Sequence, residues 1–179
     1  MDLASLKQAL ARGERCLPGL RLEDLDGLNL DLSDCELNGS CFKAARLGHA
    51  SLQRCHVANV CFQQALLWGA DLSELKAPDS LWHDADLSAA RLQKADLSGA
   101  LMHRCCLRGV LAAGSRWRGA CLVETDFRSS LDQLTDLGNA DFQGADLSFA
   151  LMQGVLLHGA DLGGSCLYGT NLSGADLRE

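Results

Sequence analysis

Cysteine and histidine are the residues of this sequence whose chemistry could hold a metal or carry out nucleophilic catalysis. The nine cysteines lie at positions 16, 35, 41, 55, 61, 105, 106, 121 and 166. No two have the CxxC spacing of structural zinc sites, and zinc needs four convergent ligands. Neither Cys61 nor Cys121 has an evident oriented base. The sequence also has no GxxxxGK[ST] phosphate loop. We therefore predict no metal site, no cofactor and no enzymatic activity.

Composition sets further limits on function. The chain has 179 residues, of which 47% are hydrophobic and 22% are charged, with a formal net charge of −7. This is enough apolar material for one core. No uncharged apolar run approaches membrane-spanning length, and the N-terminus does not have the pattern of a signal peptide. Free thiols suit a reducing compartment. The sequence therefore predicts a cytoplasmic protein without a membrane segment.

A period of five residues runs through the chain and must be explained before helices or strands are assigned. Of the 32 positions at every fifth residue from Leu22 to Leu177, 28 hold Leu, Phe, Trp, Met or Val. Two residues before the large register lies a small one, in which 28 of the 29 positions from Cys35 to Ala175 hold Ala, Cys, Ser, Thr or Val. Two residues after the large register lie 12 of the 18 glycines. Neither a helix nor a flat strand has this period. The pattern predicts short extended pieces with two inward side chains each, joined by turns.

The aromatic residues indicate how many pieces close one coil, because like side chains should stack at the coil length. Six aromatic residues occupy large positions. Four of them are separated from one another by multiples of four five-residue units. They are Phe42, Phe62, Trp82 and Phe142. Four units per coil correspond to four sides, so that residues 20–179 would form about eight coils.

Several units resemble the pentapeptide repeat family, whose motif is A(D/N)LxG. The best matches are Ala95–Gly99, Ala140–Gly144, Ala160–Gly164 and Thr170–Gly174. The resemblance covers roughly residues 20–179 and implies an all-β fold, a right-handed quadrilateral β-helix with its interior filled by side chains.

The two ends of the chain differ. Residues 1–19 are predicted to form an N-terminal cap, with a short amphipathic helix from Asp2 to Arg12 that ends at Gly13 and covers the first coil. The repeat continues to the last residue without an equivalent cap. A homodimer stacked through this final coil is therefore one alternative, and a monomer is the other.

One unit departs from the pattern near Asp132, which occupies a large inward position. An unpaired buried carboxylate is costly. We therefore predict that Ser130–Leu134 bulges, with Asp132 turned outward or hydrogen-bonded and with Leu131 or Leu134 filling the space.

Because the interior is filled, function is expected on the outer surface. Five uncharged residues recur at the same outward position on successive coils, with two histidines beside them: Cys41, Cys61, Leu81, Leu101 and Cys121, with His83 and His103. A shorter apolar column is predicted from Leu111, Leu131 and Leu151. Trp68 and Tyr168 are expected to share a further column. Exposed apolar strips often mark interaction surfaces, although tolerance of apolar residues on a stable scaffold is the alternative.

Acidic residues are concentrated toward the C-terminus, where residues 121–179 hold 2 basic and 9 acidic side chains. The expected acidic surface consists of Asp126, Asp136, Asp141, Asp146, Asp161 and Asp176. Direct nucleic-acid binding is not expected, because phosphate contacts need basic side chains.

Three functions remain open. The leading hypothesis is a non-enzymatic bacterial scaffold that binds another protein on one face. The family resemblance implies an alternative, since members of the quinolone-resistance type imitate duplex DNA and occupy the DNA saddle of gyrase. This sequence lacks their helical dimerisation tail and long inserted loop. A third alternative is an accessory module of a secretion system, which is implied only by where such repeats occur.

Overall fold

The computed structural model describes residues 2–178. Within these residues the chain forms one helix, α1 (Leu3–Ala11), and then a right-handed quadrilateral β-helix. Each side of a coil consists of one five-residue unit and contributes a single bridge residue, so the strands are no longer than one residue. The bridges are parallel and run from the pair Cys16–Glu36 to the pair Leu156–Asp176. Their spacing corresponds to about eight coils, separated by about 4.8 Å.

The bridge spacing confirms the predicted coil length. Cys41 pairs with Cys61, and Cys61 pairs with Leu81, so that one coil consists of four five-residue units. Turns connect the sides, and the residue two positions after each large inward residue has a positive φ in most units. Glycine fills many of these corners, for example Gly99 at φ 68°. Because a side chain strains this backbone conformation, the glycine register of the sequence follows from the corner geometry.

Helix α1 caps the first coil, as the sequence predicts. The Asp2 side chain accepts a hydrogen bond from the backbone N–H of Ser5 at 2.8 Å, which satisfies a free donor of the first turn. Leu6 and Ala9 are buried and belong to the core. Gly13 follows the helix at φ 82°. This helix is nine residues long, and no helix within residues 2–178 is long and apolar enough to cross a membrane.

The interior is a continuous column of buried side chains, with three aromatic rings stacked inside one side. The ring centroids of Phe42 and Phe62 are 5.2 Å apart, and those of Phe62 and Trp82 are 4.2 Å apart. The prediction that Phe142 belongs to the same series is wrong. Phe142 stacks on Trp117 instead, at 5.8 Å, on another side of the coil.

Two exceptions to the large inward pattern, Ala77 and Ala112, each lie one unit before a buried tryptophan. Small residues on the preceding side leave room for the indole. The indole N–H of Trp82 donates to the hydroxyl of Ser80 at 2.6 Å, and that hydroxyl donates to the carbonyl of Ala77. The same arrangement recurs around Trp117. The sequence irregularity therefore provides space and a polar partner for each buried indole.

A five-residue insertion interrupts the coil near residue 130. The bridge partner of Leu111 is Asp136, and the partner of Cys121 is Asp146, so the step between coils is one unit longer there and returns to four units afterwards. The predicted bulge at Ser130–Leu134 is present, and Asp132 is exposed. The prediction that Leu131 or Leu134 fills the interior is wrong, because their exposed fractions are 103% and 57%. No space needs filling, since Phe127, Thr135 and Leu137 continue the inward pattern.

Hydrogen bonds fix this insertion on the preceding coil. The backbone N–H of Gly109 donates to the Thr135 hydroxyl at 2.8 Å, and the Gln133 side chain donates to the Gly109 carbonyl. Within the insertion, the N–H of Ser130 donates to the Gln133 carbonyl at 2.9 Å. The insertion is therefore an ordered surface loop.

Deleting residues 130–134 is expected to change the free energy of unfolding by less than about 1 kcal/mol. The deletion joins Ser129 to Thr135 and leaves a regular coil of four units, with every residue beyond it on its original side. Thermal and urea unfolding followed by circular dichroism would measure this. A four-residue deletion, 130–133, is the matched control, because its one surplus residue does not fit the corner and should lower stability further. Loss of cooperative unfolding in the five-residue deletion would contradict the assigned register.

Candidate functional site

The structure brings the five uncharged outward residues into one column. Parallel bridges connect Cys41 to Cys61, Leu81, Leu101 and Cys121 in that order. We call these five residues the Cys–Leu column and the side of the β-helix that carries them the Cys–Leu face. At the bridge spacing, the column is about 19 Å long.

Exposure differs along the Cys–Leu column. Leu101 is 39% exposed, Cys61, Leu81 and Cys121 are half-buried, and Cys41 is only 8% exposed. Burial raises the pKa of the Cys41 thiol, so this thiol is protonated at neutral pH. A protonated thiol is a poor nucleophile and a poor metal ligand. Leu81 and Leu101 give the exposed part of the column an apolar contact surface.

His83 and His103 lie beside the column on the Cys–Leu face. Their ring centroids are 6.3 Å apart, with the rings nearly perpendicular. The nearest carboxylate contact of His103 joins its Nε2 to Oε1 of Glu124 at 4.0 Å. No group of three or more His, Cys, Asp or Glu side chains within residues 2–178 is arranged to hold a metal ion. A shallow polar depression of about 110 Å³ lies next to His83 and is lined also by Lys43, Gln63, Gln64 and Asp84.

The second predicted column, Leu111, Leu131 and Leu151, does not exist. Leu111 bridges Asp136, Leu151 bridges Asp126 and Asn171, and Leu131 lies in the inserted loop. The error arises because a count of four units per coil that ignores the insertion assigns every later residue to the neighbouring side. An open depression of about 460 Å³ is present between the loop and the coil, lined by Ser88, Cys106, Arg108, Ser130, Leu131 and Asp132.

The same displacement places an aromatic pair on the Cys–Leu face. Cys121 bridges Asp146, and Asp146 bridges Cys166, so that Phe149 and Tyr168 belong to the units that continue this face. The predicted column shared by Trp68 and Tyr168 is therefore wrong. Phe149 and Tyr168 are 50% and 70% exposed, and their ring centroids are 5.2 Å apart. Recognising the insertion as a register change would have placed them here from sequence.

Arginine side chains neutralise half of the expected acidic surface. Asp126 contacts Arg108 and Arg128, Asp141 contacts Arg118, and Asp176 contacts Arg178. The Arg178 guanidinium lowers the pKa of Asp176 to about 2.

The other three predicted acidic residues have no arginine partner within the part of the chain that the structure describes. Asp136, Asp146 and Asp161 each accept a hydrogen bond from the backbone N–H two residues later. Their negative charge therefore remains available to a cation. The predicted acidic surface therefore consists of three aspartates that are paired with arginine and three that are not.

Ion pairs between adjacent coils extend over the rest of the rod. Arg54 and Arg104 each form two hydrogen bonds to an aspartate one coil earlier, Asp34 and Asp84 respectively. Exposed pairs of this kind contribute little to stability, because water screens their attraction. Their larger effect is on the surface potential, because cations lie among the carboxylates.

Comparison with known proteins agrees with this geometry. The family model for pentapeptide repeats matches residues 31–69, 67–104 and 140–178, with 8 copies. The chain is similar to the crystal structure of HetL, a pentapeptide repeat protein involved in heterocyst differentiation regulation in the cyanobacterium Nostoc. The identity is 25%, the TM-score is 0.50, and the alignment covers 98% of this chain and 96% of HetL.

Two further solved structures show weaker likeness. QnrB1, a plasmid-mediated fluoroquinolone resistance protein, is 18% identical with a TM-score of 0.49, and 90% of this chain and 83% of QnrB1 are covered. A pentapeptide repeat protein of the Arabidopsis thaliana thylakoid lumen is 22% identical with a TM-score of 0.41, over 69% and 72% of the two chains. No curated protein sequence matches the chain. The matched residues cover more than half of the sequence, and the chain therefore belongs to the pentapeptide repeat family.

Proposed function

We propose that this protein is a non-enzymatic adaptor that binds a partner protein on its Cys–Leu face. The observation that carries the proposal is the run of five successive uncharged bridge residues in the Cys–Leu column. On the other three sides, within residues 2–178, no more than two uncharged bridge residues follow one another. An exposed apolar strip of this length, bordered by polar residues, is typical of an interaction surface.

The shape of the face also supports binding of a protein. Its side chains are held by a backbone in which each coil is hydrogen-bonded to the next, for example through the N–H of Phe62 and the carbonyl of Leu81 at 2.7 Å. A rigid surface loses little conformational entropy when a partner docks. The likeness to HetL, which is involved in the regulation of a differentiation process, supports a regulatory role.

A DNA-mimicking role is less well supported by the surface. Imitation of a phosphate backbone needs closely spaced negative charges without intervening cations. Asp126, Asp141 and Asp176 are instead paired with arginines, and the Asp34–Arg54 and Asp84–Arg104 pairs repeat this arrangement on earlier coils. The apolar column is the more distinctive feature of the outside.

Photo-crosslinking in the native cell would test the proposal. A photoreactive phenylalanine analogue is introduced in place of Leu101 on the Cys–Leu face or in place of Leu66 on the next side. The two leucines are equally exposed, at 39% each, so the side is the main difference between them. We expect a discrete crosslinked product at Leu101 with at least about tenfold higher yield than at Leu66. Equal yields at the two positions would contradict the proposal.

A further inference from the structure

Phe149 is an unusual residue for the corner it occupies. Its φ is 59°, in the left-handed region, and no other corner within residues 2–178 holds a phenylalanine, tyrosine or tryptophan. A bulky side chain is uncommon in this conformation. Its ring is nevertheless half exposed and contributes little to the core. Stability of the fold therefore does not explain why an aromatic residue is present here.

Two neighbouring residues contact the Phe149 ring. The ring lies over Gly169, where an added Cβ would be only 2.7 Å from Cδ1 of Phe149. The Tyr168 ring meets it nearly at a right angle, at 87°. Two exposed rings are thus presented together at the C-terminal end of the Cys–Leu face.

Two carboxylates accompany these rings and have no arginine partner within residues 2–178. Glu124 occupies the corner one coil before Phe149, since its backbone N–H donates to the carbonyl of Ser148 at 2.9 Å. Asp146 is the second residue of the five-residue unit that contains Phe149. The hydroxyl and backbone N–H of Ser148 lower the pKa of Asp146, so this carboxylate is ionised at neutral pH. The nearest basic contact of Glu124 is His103, at 4.0 Å, and the charge of Arg104, whose guanidinium pairs with Asp84, also acts on Glu124.

From this arrangement we infer that Phe149, Tyr168, Glu124 and Asp146 form a site for an arginine side chain of the partner protein. Aromatic faces attract cations, and a planar guanidinium stacks on a ring while it donates hydrogen bonds to carboxylates. The site rests on the proposed function, because it continues the face on which the partner is proposed to dock. It specifies that the docked segment carries an arginine displaced by about 10 Å along the axis of the β-helix, or two coils, from the side chain that contacts Leu101.

The site can be tested with a peptide, without knowledge of the partner. The full-length protein is titrated with acetyl-(Gly-Arg)₃-amide, and with the matched citrulline peptide, which has the same shape but no charge. Tyr168 is the only tyrosine of the chain, so its ring signals are identified directly in NMR spectra. We expect the arginine peptide to shift these signals with an affinity at least about tenfold higher than that of the citrulline peptide.

Two variants distinguish binding at this site from nonspecific attraction of a cationic peptide to an acidic protein. Phe149→Gly suits the left-handed backbone and should preserve the fold, as circular dichroism would verify, while it weakens peptide binding at least about tenfold. Trp68→Ala is the matched control, since it removes an exposed ring from another side and should leave binding unchanged. Equal binding of the two peptides, or unchanged binding by Phe149→Gly, would overturn the inference. Peptide binding does not involve Leu101, so this result and the crosslinking result can fail independently.

Discussion

Replacing Phe62 by alanine is expected to lower the free energy of unfolding by about 3–5 kcal/mol. Phe62 is completely buried and is the middle ring of the stack with Phe42 and Trp82. Truncation leaves a cavity between two rings that the surrounding coils hold in place. Because each coil of a solenoid contacts only its neighbours, distant coils cannot compensate for the loss. Guanidinium unfolding followed by circular dichroism would measure the change.

Phe62→Leu is the control for this substitution. It retains most of the volume and should cost less than about 1.5 kcal/mol. Hydrogen exchange should then show that lost protection in Phe62→Ala is strongest in the coils that contain Phe42, Phe62 and Trp82. A loss below about 1 kcal/mol for the alanine variant would show that the ring stack does not support the core as described.

Replacing Leu101 by aspartate is expected to weaken partner binding at least about thirtyfold, which corresponds to about 2 kcal/mol. The substitution places a charge near the middle of the Cys–Leu column, where a docked partner would have to desolvate it. Folding should be unaffected because the side chain points outward and is 39% exposed. The affinity can be measured by biolayer interferometry with the partner identified by crosslinking.

The matched control is Leu66→Asp, which makes the same chemical change at a bridge residue of equal exposure on the neighbouring side. It should alter the affinity less than about threefold. If both variants bind equally well, the Cys–Leu column is not the contact surface. If both lose binding equally, the contact extends around the corner, and the assignment to a single face is wrong.

The sequence predicts the coil because inward positions repeat every five residues and each violation carries a cost in buried volume or charge. The cap is predictable for a similar reason, since Asp2, Leu6 and Gly13 combine a helix start, an apolar face and a stop. The side of the β-helix on which a given residue lies is harder to predict. An insertion of five residues leaves the five-residue period intact. Asp132 at an inward position indicates a bulge, but it does not show that a whole unit loops out of the coil.

The residues after the insertion show the consequence of this ambiguity. An uninterrupted count places Phe142 in the series of Trp82, whereas Phe142 stacks on Trp117. The same count places Tyr168 beside Trp68, whereas Tyr168 lies beside Phe149. Only residue patterns that recur once per coil could reveal that later residues have moved by one side. Outward positions show few such patterns, because they tolerate many residue types. The prediction of the Cys–Leu column as a row is confirmed because all five of its residues precede the insertion.

The looped-out unit also bears on how members of this fold can change over evolutionary time. An extra pentapeptide that joined the coil would turn everything beyond it by a quarter of a revolution about the long axis, with little disturbance of the interior. In this protein the inserted residues loop out of the coil instead. The C-terminal coils therefore keep their orientation about the long axis relative to the N-terminal coils. Gains or losses of single units can thus re-orient one part of a binding surface against another at almost constant stability.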